Sequence, residues 1–309
     1  SSNTINYSNN GIYFPSTTNS TALELNTVFG TNASNNLILS YVTVRDDRDP
    51  LGSDFPYVTI NDEAGGSIRF GSEQFSTGNA LDQDIFTITN NFKLYRGNHT
   101  ITLGTHNEFY SIYNLFIRQN YGSYRFASLD DFLNGNPATD YDRSYSLVDN
   151  VTGDGSKGAA AFDAFQLGFY VQDEISVNSQ LTVTAGLRVD IPIISDDPRI
   201  ASDFNSSALP QMQAGYDIAK DVTGGKAPDG QLMFSPRVGF TYLLDTEDRQ
   251  VLRGGVGVFT SRIPFVWPGA MFNNNGVTVG GMNERDINGP VNFIGDYTNQ
   301  YSTPPGSQI

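Results

Sequence analysis

Residues 181–191 read Leu-Thr-Val-Thr-Ala-Gly-Leu-Arg-Val-Asp-Ile, and apolar side chains occupy every second position of this stretch. Successive side chains of a β-strand point to opposite faces, so the stretch predicts a strand with one apolar and one polar face. Residues 165–172 alternate in the same way, and a short polar join at 176–180 connects the two stretches. Together they predict a β-hairpin.

Three further hairpins follow the same plan. Their apolar alternations lie at 23–44, 86–109 and 238–258, with short polar turns at 31–35, 95–98 and 245–249. We therefore expect eight strands of about 9–14 residues, longer than the five or six residues that are usual in soluble sheets.

The connections between the hairpins are long. Residues 46–82, 113–161 and 194–232 are rich in Asp, Asn, Gly, Ser and Pro, and we expect them to be structureless loops. Short turns and long loops alternate, which in an up-and-down meander places all short turns at one end of the sheet. Outer-membrane barrels combine tight periplasmic turns with long external loops, whereas soluble domains rarely contain several such loops. The pattern favours an all-β, antiparallel, up-and-down transmembrane barrel with its apolar face toward lipid.

The composition excludes several functional classes. The 309 residues include 33 acidic and 18 basic side chains, and the net charge is −15. Phosphate binding needs clustered Lys and Arg, so nucleic acid is not an expected partner. Cysteine is absent, which excludes disulfides and thiolate chemistry. The longest apolar run, 159–162, is far shorter than the roughly 18 residues of a transmembrane helix, so strands are the remaining way to cross a membrane.

The candidate metal and catalytic groups are sparse. His106 and Glu108 share one strand face, but two ligands are too few for a structural metal site, and a hydrogen-bonding pair is favoured. The acidic runs at 46–49 and 130–131 lack EF-hand spacing, so solvated loop charges are favoured over Ca²⁺ sites. The glycines at 254–257 lack the Lys-Ser/Thr that follows a phosphate loop. We expect neither an enzyme nor a cofactor.

The polar strand faces supply the functional candidates. If the apolar faces contact lipid, the charged residues of the polar faces line the barrel interior, where partners and water are available. These interior candidates are Arg188, Asp190, Arg237 and Arg253. Aromatic residues at strand ends suit the interfacial girdle of a membrane protein. The girdle candidates are Tyr242, Phe259, Phe265 and Trp267. The loops at 113–161 and 194–232 are expected to select an external ligand, because loops project function from a rigid wall.

Three stretches carry a family resemblance. Residues 234–242 (FSPRVGFTY) and 251–259 (VLRGGVGVF) resemble a barrel hairpin of TonB-dependent outer-membrane receptors, and in particular of their Oar-like branch. Residues 168–174 (GFYVQDE), followed by 181–192, resemble another hairpin of that family, with Ile175 in place of the usual aromatic residue. Residues 124–135 (YRFASLDDFLNG) resemble a loop of the same branch.

The resemblance implies a function in the bacterial outer membrane. Such receptors enclose an N-terminal plug in a barrel of about 22 strands and take up a scarce or bulky solute with energy from the inner-membrane TonB complex. The implied partners are outer-membrane lipid, the receptor's own plug, the TonB complex and an unidentified external substrate. In this family the inward-facing wall residues hydrogen-bond the plug, which is the first role expected of the interior candidates, and contact with the substrate is the second.

The resemblance also implies that the chain is incomplete. No plug-like segment precedes residue 20, no TonB-contacting segment is visible, and the C-terminus does not end in an aromatic residue. We therefore expect residues 1–309 to be an open, partial barrel from inside a larger receptor, without its plug and closing strands. On strand count alone, a complete eight-stranded barrel is an alternative.

A hypothesis from another class is a soluble, secreted β-sandwich that binds glycans. It explains the alternation, the Gly-rich turns and the acidic surface equally well. In a sandwich the apolar faces meet between two sheets, whereas in a barrel they point outward. The position of the apolar faces therefore separates the two hypotheses.

Overall fold

The structure is a computed structural model that describes residues 3–62, 64–148, 155–227, 230–244, 250–262 and 264–302. Its strands in chain order are β1 (Thr4–Asn6), β2 (Ile12–Tyr13), β3 (Ser16–Phe29), β4 (Ala33–Asp47), β5 (Asp49–Pro50), β6 (Tyr57–Asn61), β7 (Ser67–Phe70), β8 (Asn79–Arg96), β9 (His99–Phe116), β10 (Ser123–Phe126), β11 (Asp140–Ser146), β12 (Ala160–Ser176), β13 (Leu181–Ile194), β14 (Met233–Leu243), β15 (Val251–Gly257) and β16 (Val279–Asn283). The α-helices are α1 (Leu129–Leu133), α2 (Leu209–Gly215) and α3 (Val266–Asn273). None of the helices in these ranges is long and apolar enough to span a membrane.

The predicted hairpins form one sheet of eight strands, in the order β15-β14-β13-β12-β9-β8-β4-β3. We call this sheet the wall. All seven neighbouring pairs are antiparallel, as the up-and-down prediction requires. The wall is not closed, since β3 and β15 are edge strands within the described residues. The predicted turn at 245–249 lies outside those residues.

The register divides the wall into two faces. Tyr170 lies opposite Gly104 on one side and Arg188 on the other, and Arg188 lies opposite Ser235. Residues that lie opposite one another on neighbouring strands share a face of the sheet. These four residues therefore lie on the same face, which we call the inner face. The other side, which we call the outer face, carries the apolar half of each alternation.

The outer face is apolar and uncovered. Its large apolar side chains that are more than one third exposed are Leu23, Leu25, Phe29, Tyr41, Phe86, Leu94, Leu103, Phe169, Val171, Leu187, Phe234, Val238, Phe240, Leu252 and Val256. Leaving such a continuous apolar surface in water is unfavourable by about 25 cal/mol per Å². Because these side chains stay exposed, the described part of the chain places no second sheet over them. The β-sandwich hypothesis is therefore wrong, and the outer face requires an apolar solvent.

The height of the apolar band can be read along β12. Between Asp163 and Asp173, the outer-face residues of β12 are Phe165, Leu167, Phe169 and Val171. The two aspartates are ten positions apart, which is about 33 Å of strand at roughly 3.3 Å per residue. A tilt of about 40° reduces this to about 25 Å, the height of the apolar band on an outer-membrane barrel.

Several polar residues that interrupt the outer face are hydrogen-bonded. The Nδ2 of Asn35 donates to the Oδ1 of Asn90 at 2.8 Å. Asn107 Nδ2 donates to Thr105 Oγ1 at 2.7 Å, and Thr105 Oγ1 donates in turn to the carbonyl of Gly168 at 2.9 Å. Within a bilayer, polar groups need partners from the protein itself, and these side chains have them.

The expectation that the long loops are structureless was wrong for most of them. Strands from residues before β3, from the first two loops and from the chain after β15 form a second sheet, in the order β1-β7-β6-β10-β11-β16. We call this sheet with its helix α1 the external module. Two of its strand pairs, β1 with β7 and β6 with β10, are parallel. The third loop, 194–232, contains a π-helical turn (Phe204–Ala208) and α2 but adds no described strand to either sheet.

The external module has its own aromatic core. The side chains of Val58, Tyr124, Phe126 and Tyr141 are fully buried in it. The Tyr124 and Tyr141 ring centroids are 4.8 Å apart, and the Tyr124 hydroxyl donates to Gln300 Oε1 at 2.7 Å. Burial raises the pKa of both tyrosines above its usual value. The loops fold because they contain enough apolar side chains to bury against one another.

The outer-face assignment predicts the effect of a charge in the middle of the band. We expect Phe169→Arg to lower the unfolding free energy of the intact protein in lipid vesicles by about 2–4 kcal/mol, because an arginine at mid-bilayer loses its hydration. The measurement is urea unfolding followed by heat-modifiable gel mobility. Gln172→Arg, on the inner face of the same strand, is the control, with an expected change below about 1 kcal/mol. Equal losses for the two variants would contradict the assignment.

The aromatic core predicts which substitution opens the external module. We expect Phe126→Ala to destabilise the module by about 3–5 kcal/mol, because it removes a fully buried ring. Limited proteolysis should then cleave the module while the wall stays protected. Leu133→Ala, at a side chain that is 69% exposed, is the control and should change stability by less than about 0.5 kcal/mol. A wild-type cleavage rate for Phe126→Ala would refute this core.

Candidate functional site on the inner face

An ion pair lies on the inner face of β13. Arg188 and Asp190 are two positions apart on β13, so both side chains leave the same face. The Arg188 Nε lies 2.9 Å from each Asp190 oxygen, and its Nη2 lies 2.7 Å from Oδ1. Asp190 is only 5% exposed and also accepts from Thr260 Oγ1 at 3.2 Å and from Gln166 Nε2 at 3.4 Å. Three side chains therefore compensate the buried carboxylate.

Glycines on the inner face let large side chains lie flat against the wall. The Arg188 guanidinium lies 5.6 Å from the centroid of the Tyr170 ring, and the Tyr170 hydroxyl donates to Asn91 Oδ1 at 2.5 Å. A Cβ atom at Gly104 would overlap the Tyr170 ring, and one at Gly168 would overlap the Arg188 guanidinium. The two glycines therefore provide the space that Tyr170 and Arg188 occupy.

The other two predicted arginines lie on the same face at different distances from the ion pair. Arg237 lies on the face that bears Ser235, and its cross-strand neighbours are Gly186 and Gly257. Its guanidinium is 5.3 Å from the centroid of the Phe259 ring. Arg253 is exposed opposite Thr241. The structure thus brings Arg237 near the Arg188–Asp190 pair and leaves Arg253 at the edge of the wall.

The chain that follows β15 folds back across the inner face. We call the described residues 258–262 and 264–273 the returning segment. Thr260 Oγ1 lies 3.0 Å from Ser235 Oγ on β14. Further along, the Arg262 guanidinium hydrogen-bonds the Tyr110 hydroxyl, stacks 4.7 Å from its ring centroid and lies 3.9 Å from Glu108 Oε2. From β14 to β9 the segment crosses three strand spacings, or about 14 Å.

The helix α3 continues this contact near the loop end of the wall. Phe272 stacks on Phe162 with ring centroids 4.7 Å apart and an interplanar angle of 11°. The Phe265 ring lies 4.8 Å from that of Tyr110 and 5.9 Å from that of Phe162. These contacts bury Phe162 and Tyr110 on the inner face.

The sequence of the chain matches the family model of an outer membrane beta barrel domain over residues 1–308. The chain belongs to this family. A search of curated proteins and a search of solved structures each found no match. As an outer membrane β-barrel domain, the protein is located in the bacterial outer membrane, and the predicted barrel class is confirmed.

Two of the predicted girdle aromatics lie elsewhere in this barrel domain. Phe259 packs under Arg237 and Phe265 packs on Tyr110, so both face inward, because the chain leaves the wall after β15. Trp267 is 68% exposed on α3. Tyr242 does lie on the outer face, opposite Leu181 beside a short turn.

An aromatic row that the sequence reasoning missed crosses four adjacent strands on the outer face. Tyr41, Phe86, Phe109 and Phe165 lie opposite one another in the register. The ring centroids of Phe86 and Phe109 are 6.1 Å apart, and those of Phe109 and Phe165 are 5.6 Å apart. Each member was visible in its own strand, but the row depends on the pairing register, which the alternation does not give.

The side chains considered as metal ligands contact other side chains of the barrel domain. His106 Nδ1 lies 2.7 Å from Thr89 Oγ1, and His106 Nε2 lies 3.7 Å from Glu108 Oε1. No group of three His, Cys, Asp or Glu side chains with metal-site geometry occurs in the described part of the chain. Ser128 caps α1 by accepting from the Asp131 backbone N–H, and side-chain hydrogen bonds from Ser128 and Asn136 lower the pKa of the Asp131 carboxyl.

Several inner-face residues of the site were not predicted. Gln166, Tyr170 and Ser235 occupy polar positions of recognised strands, so the alternation contained a signal for them. Thr260 and Arg262 follow the end of β15, where no periodicity shows that the chain turns inward.

The buried Asp190 carboxylate predicts that removing Arg188 costs more unfolding free energy than removing Arg253. We expect Arg188→Ala to lower the unfolding free energy by about 3 kcal/mol, because Asp190 keeps its charge in a buried position without its main partner. The measurement is urea unfolding of the intact protein in lipid vesicles. Arg253→Ala removes an exposed arginine from the same face and should change stability by less than about 0.5 kcal/mol. Indistinguishable unfolding midpoints for the two variants would show that the ion pair does not compensate a buried charge.

Proposed function

We propose that the protein forms part of the barrel of a TonB-dependent receptor of the Oar-like type, as a segment of the wall of an energy-coupled uptake channel. The observation that supports this proposal is the flat inner face, on which Tyr170 and Arg188 lie against glycine positions. A wall of this shape leaves room for a globular plug. The resemblance of residues 168–174, 181–192, 234–242 and 251–259 to receptor hairpins supports the same proposal.

The proposal assigns a partner to each surface of the domain. The outer face contacts outer-membrane lipid, and Arg188, Asp190, Arg237 and Arg253 face the receptor's own plug. The TonB complex of the inner membrane supplies energy through that plug. The protein takes no part in nucleic-acid binding or catalysis.

The ordered structure of the external module supports a role for it in selecting an external solute. Its strands come from four separate parts of the chain and are held by one core. The Arg143 guanidinium adds a clamp, since its Nη1 donates to the carbonyls of Gln300 at 3.0 Å and Tyr301 at 2.7 Å. A surface that is ordered before binding loses little conformational entropy when a ligand binds. The loop 194–232, which lies outside the module's sheet, adds a second surface at the same end.

Planar lipid bilayers test whether the channel is plugged. We expect the intact gene product to show no stable conductance, because a plug fills the lumen, and to conduct only after urea has unfolded the plug. Immobilised periplasmic TonB domain should also retain the intact protein. Stable conductance of the untreated protein, together with no retention by TonB, would contradict the proposal and indicate a passive channel. Heat-modifiable gel mobility serves as the control that the barrel is folded in each preparation.

A further inference from the structure

A cavity lies between the returning segment and the inner face of the wall. Its volume is about 310 Å³, at the lower end of the range that small-molecule sites usually occupy. Three guanidinium groups, those of Arg188, Arg237 and Arg262, line it together with a single carboxylate, that of Asp190. The rest of its lining is Gln166, Met233, Ser235, Phe259, Thr260 and Ser261.

The charge of this cavity is opposite to that of the chain. The whole chain carries a net charge of −15, whereas the cavity lining has three positive groups and one negative group. The negative group is already engaged, because Asp190 accepts from Arg188, Thr260 and Gln166. A second carboxylate, Glu108, lies 3.9 Å from Arg262 outside the lining. The cavity therefore retains positive charge after both carboxylates are counted.

Arg237 is the guanidinium that is open to a ligand. Among the described residues it forms no ion pair. Its cross-strand neighbours on the inner face, Gly186 and Gly257, have no side chains to cover it. The Phe259 ring supports one side of its guanidinium at 5.3 Å. The N–H groups of the Arg237 guanidinium can therefore donate to a ligand in the cavity.

Hydroxyl groups hold the returning segment against the wall beside the arginines. Ser235 is only 1% exposed and lies directly opposite Arg188 in the register. Thr260 Oγ1 donates to Asp190, so the Ser235 hydroxyl donates to Thr260 Oγ1 at 3.0 Å, and both protons are used within the protein. The donors left for a ligand are guanidinium N–H groups, whose fork matches the planar or tetrahedral oxygens of an oxyanion.

We propose that this cavity binds the oxyanion group, carboxylate or phosphate, of a solute that enters the barrel. The proposal rests on the proposed uptake function only in naming a transported solute as the source of the anion. The binding itself requires the returning segment, the inner wall and Arg237. It does not require TonB.

Equilibrium dialysis of the intact protein in detergent tests the site. The probes are inorganic phosphate and citrate, each at constant ionic strength maintained with sodium chloride. We expect saturable binding of at least one probe, and the preferred probe distinguishes phosphate from carboxylate chemistry. Arg237→Ala should weaken that binding by about tenfold or more, since it removes a charge-assisted hydrogen bond. Arg237→Lys keeps the charge but loses the fork and should give a smaller loss of about threefold.

Lys93→Ala is the matched control. Lys93 is an exposed cation on the same inner face, opposite Thr102, and it does not line the cavity. Its removal should leave the affinity for either probe unchanged. Heat-modifiable mobility equal to that of the wild type shows that each variant is folded.

Three results would overturn the proposal. The first is the absence of saturable binding of both probes. The second is an equal loss of affinity in Arg237→Ala and Lys93→Ala, which would indicate general attraction to positive charge. The third is binding that appears only after urea has displaced the plug, which would assign the cavity to a carboxylate of the plug. Failure of both TonB retention and channel blockage would instead overturn the uptake function and leave the anion site standing.

Discussion

The structure depends on the opposite polarity of the two faces of the wall, with the apolar face outside. Apolar side chains of the wall stay exposed on the outer face, and the polar and charged ones gather on the inner face. In water this arrangement is unfavourable, and in a bilayer it is the stable one. Because the charged side chains lie on the inner face, they need ion-pair and hydrogen-bond partners there. The Arg188–Asp190 pair, the stacked Tyr170 and the hydroxyl groups of Ser235 and Thr260 are the consequence.

Glycine has a different role on this wall from its usual role in turns. At 104 and 168 the missing side chains are replaced by a tyrosine ring and a guanidinium from the neighbouring strand. At 186 and 257 the space beside Arg237 is not filled by a cross-strand side chain. One residue type thus makes the wall flat in one region and leaves an accessible cation in another. The positions of the glycines therefore determine the shape of the inner face.

The wall was predictable because its signal is local. Alternation at 165–172 and 181–191 defines strands, and the short join between them defines the pairing. The predicted interior positions 188, 190, 237 and 253 follow from parity alone. The external module was not predictable, because β6 pairs with β10 across more than sixty residues and with no periodicity long enough to recognise. The inward turn after β15 was missed for a related reason, since Thr260 and Arg262 find their partners only in three dimensions.

The external module also ties together loops that would otherwise change independently. Its sheet is complete only when segments from the start of the chain, both early loops and the chain after β15 have all arrived. The adjacent hairpins of the wall bring these segments near one another. An insertion in one of its loops disturbs a core shared with the others. Diversification at this end of the barrel is therefore expected to proceed by coordinated change of whole loop sets, with the separate 194–232 loop left as the segment that can vary alone.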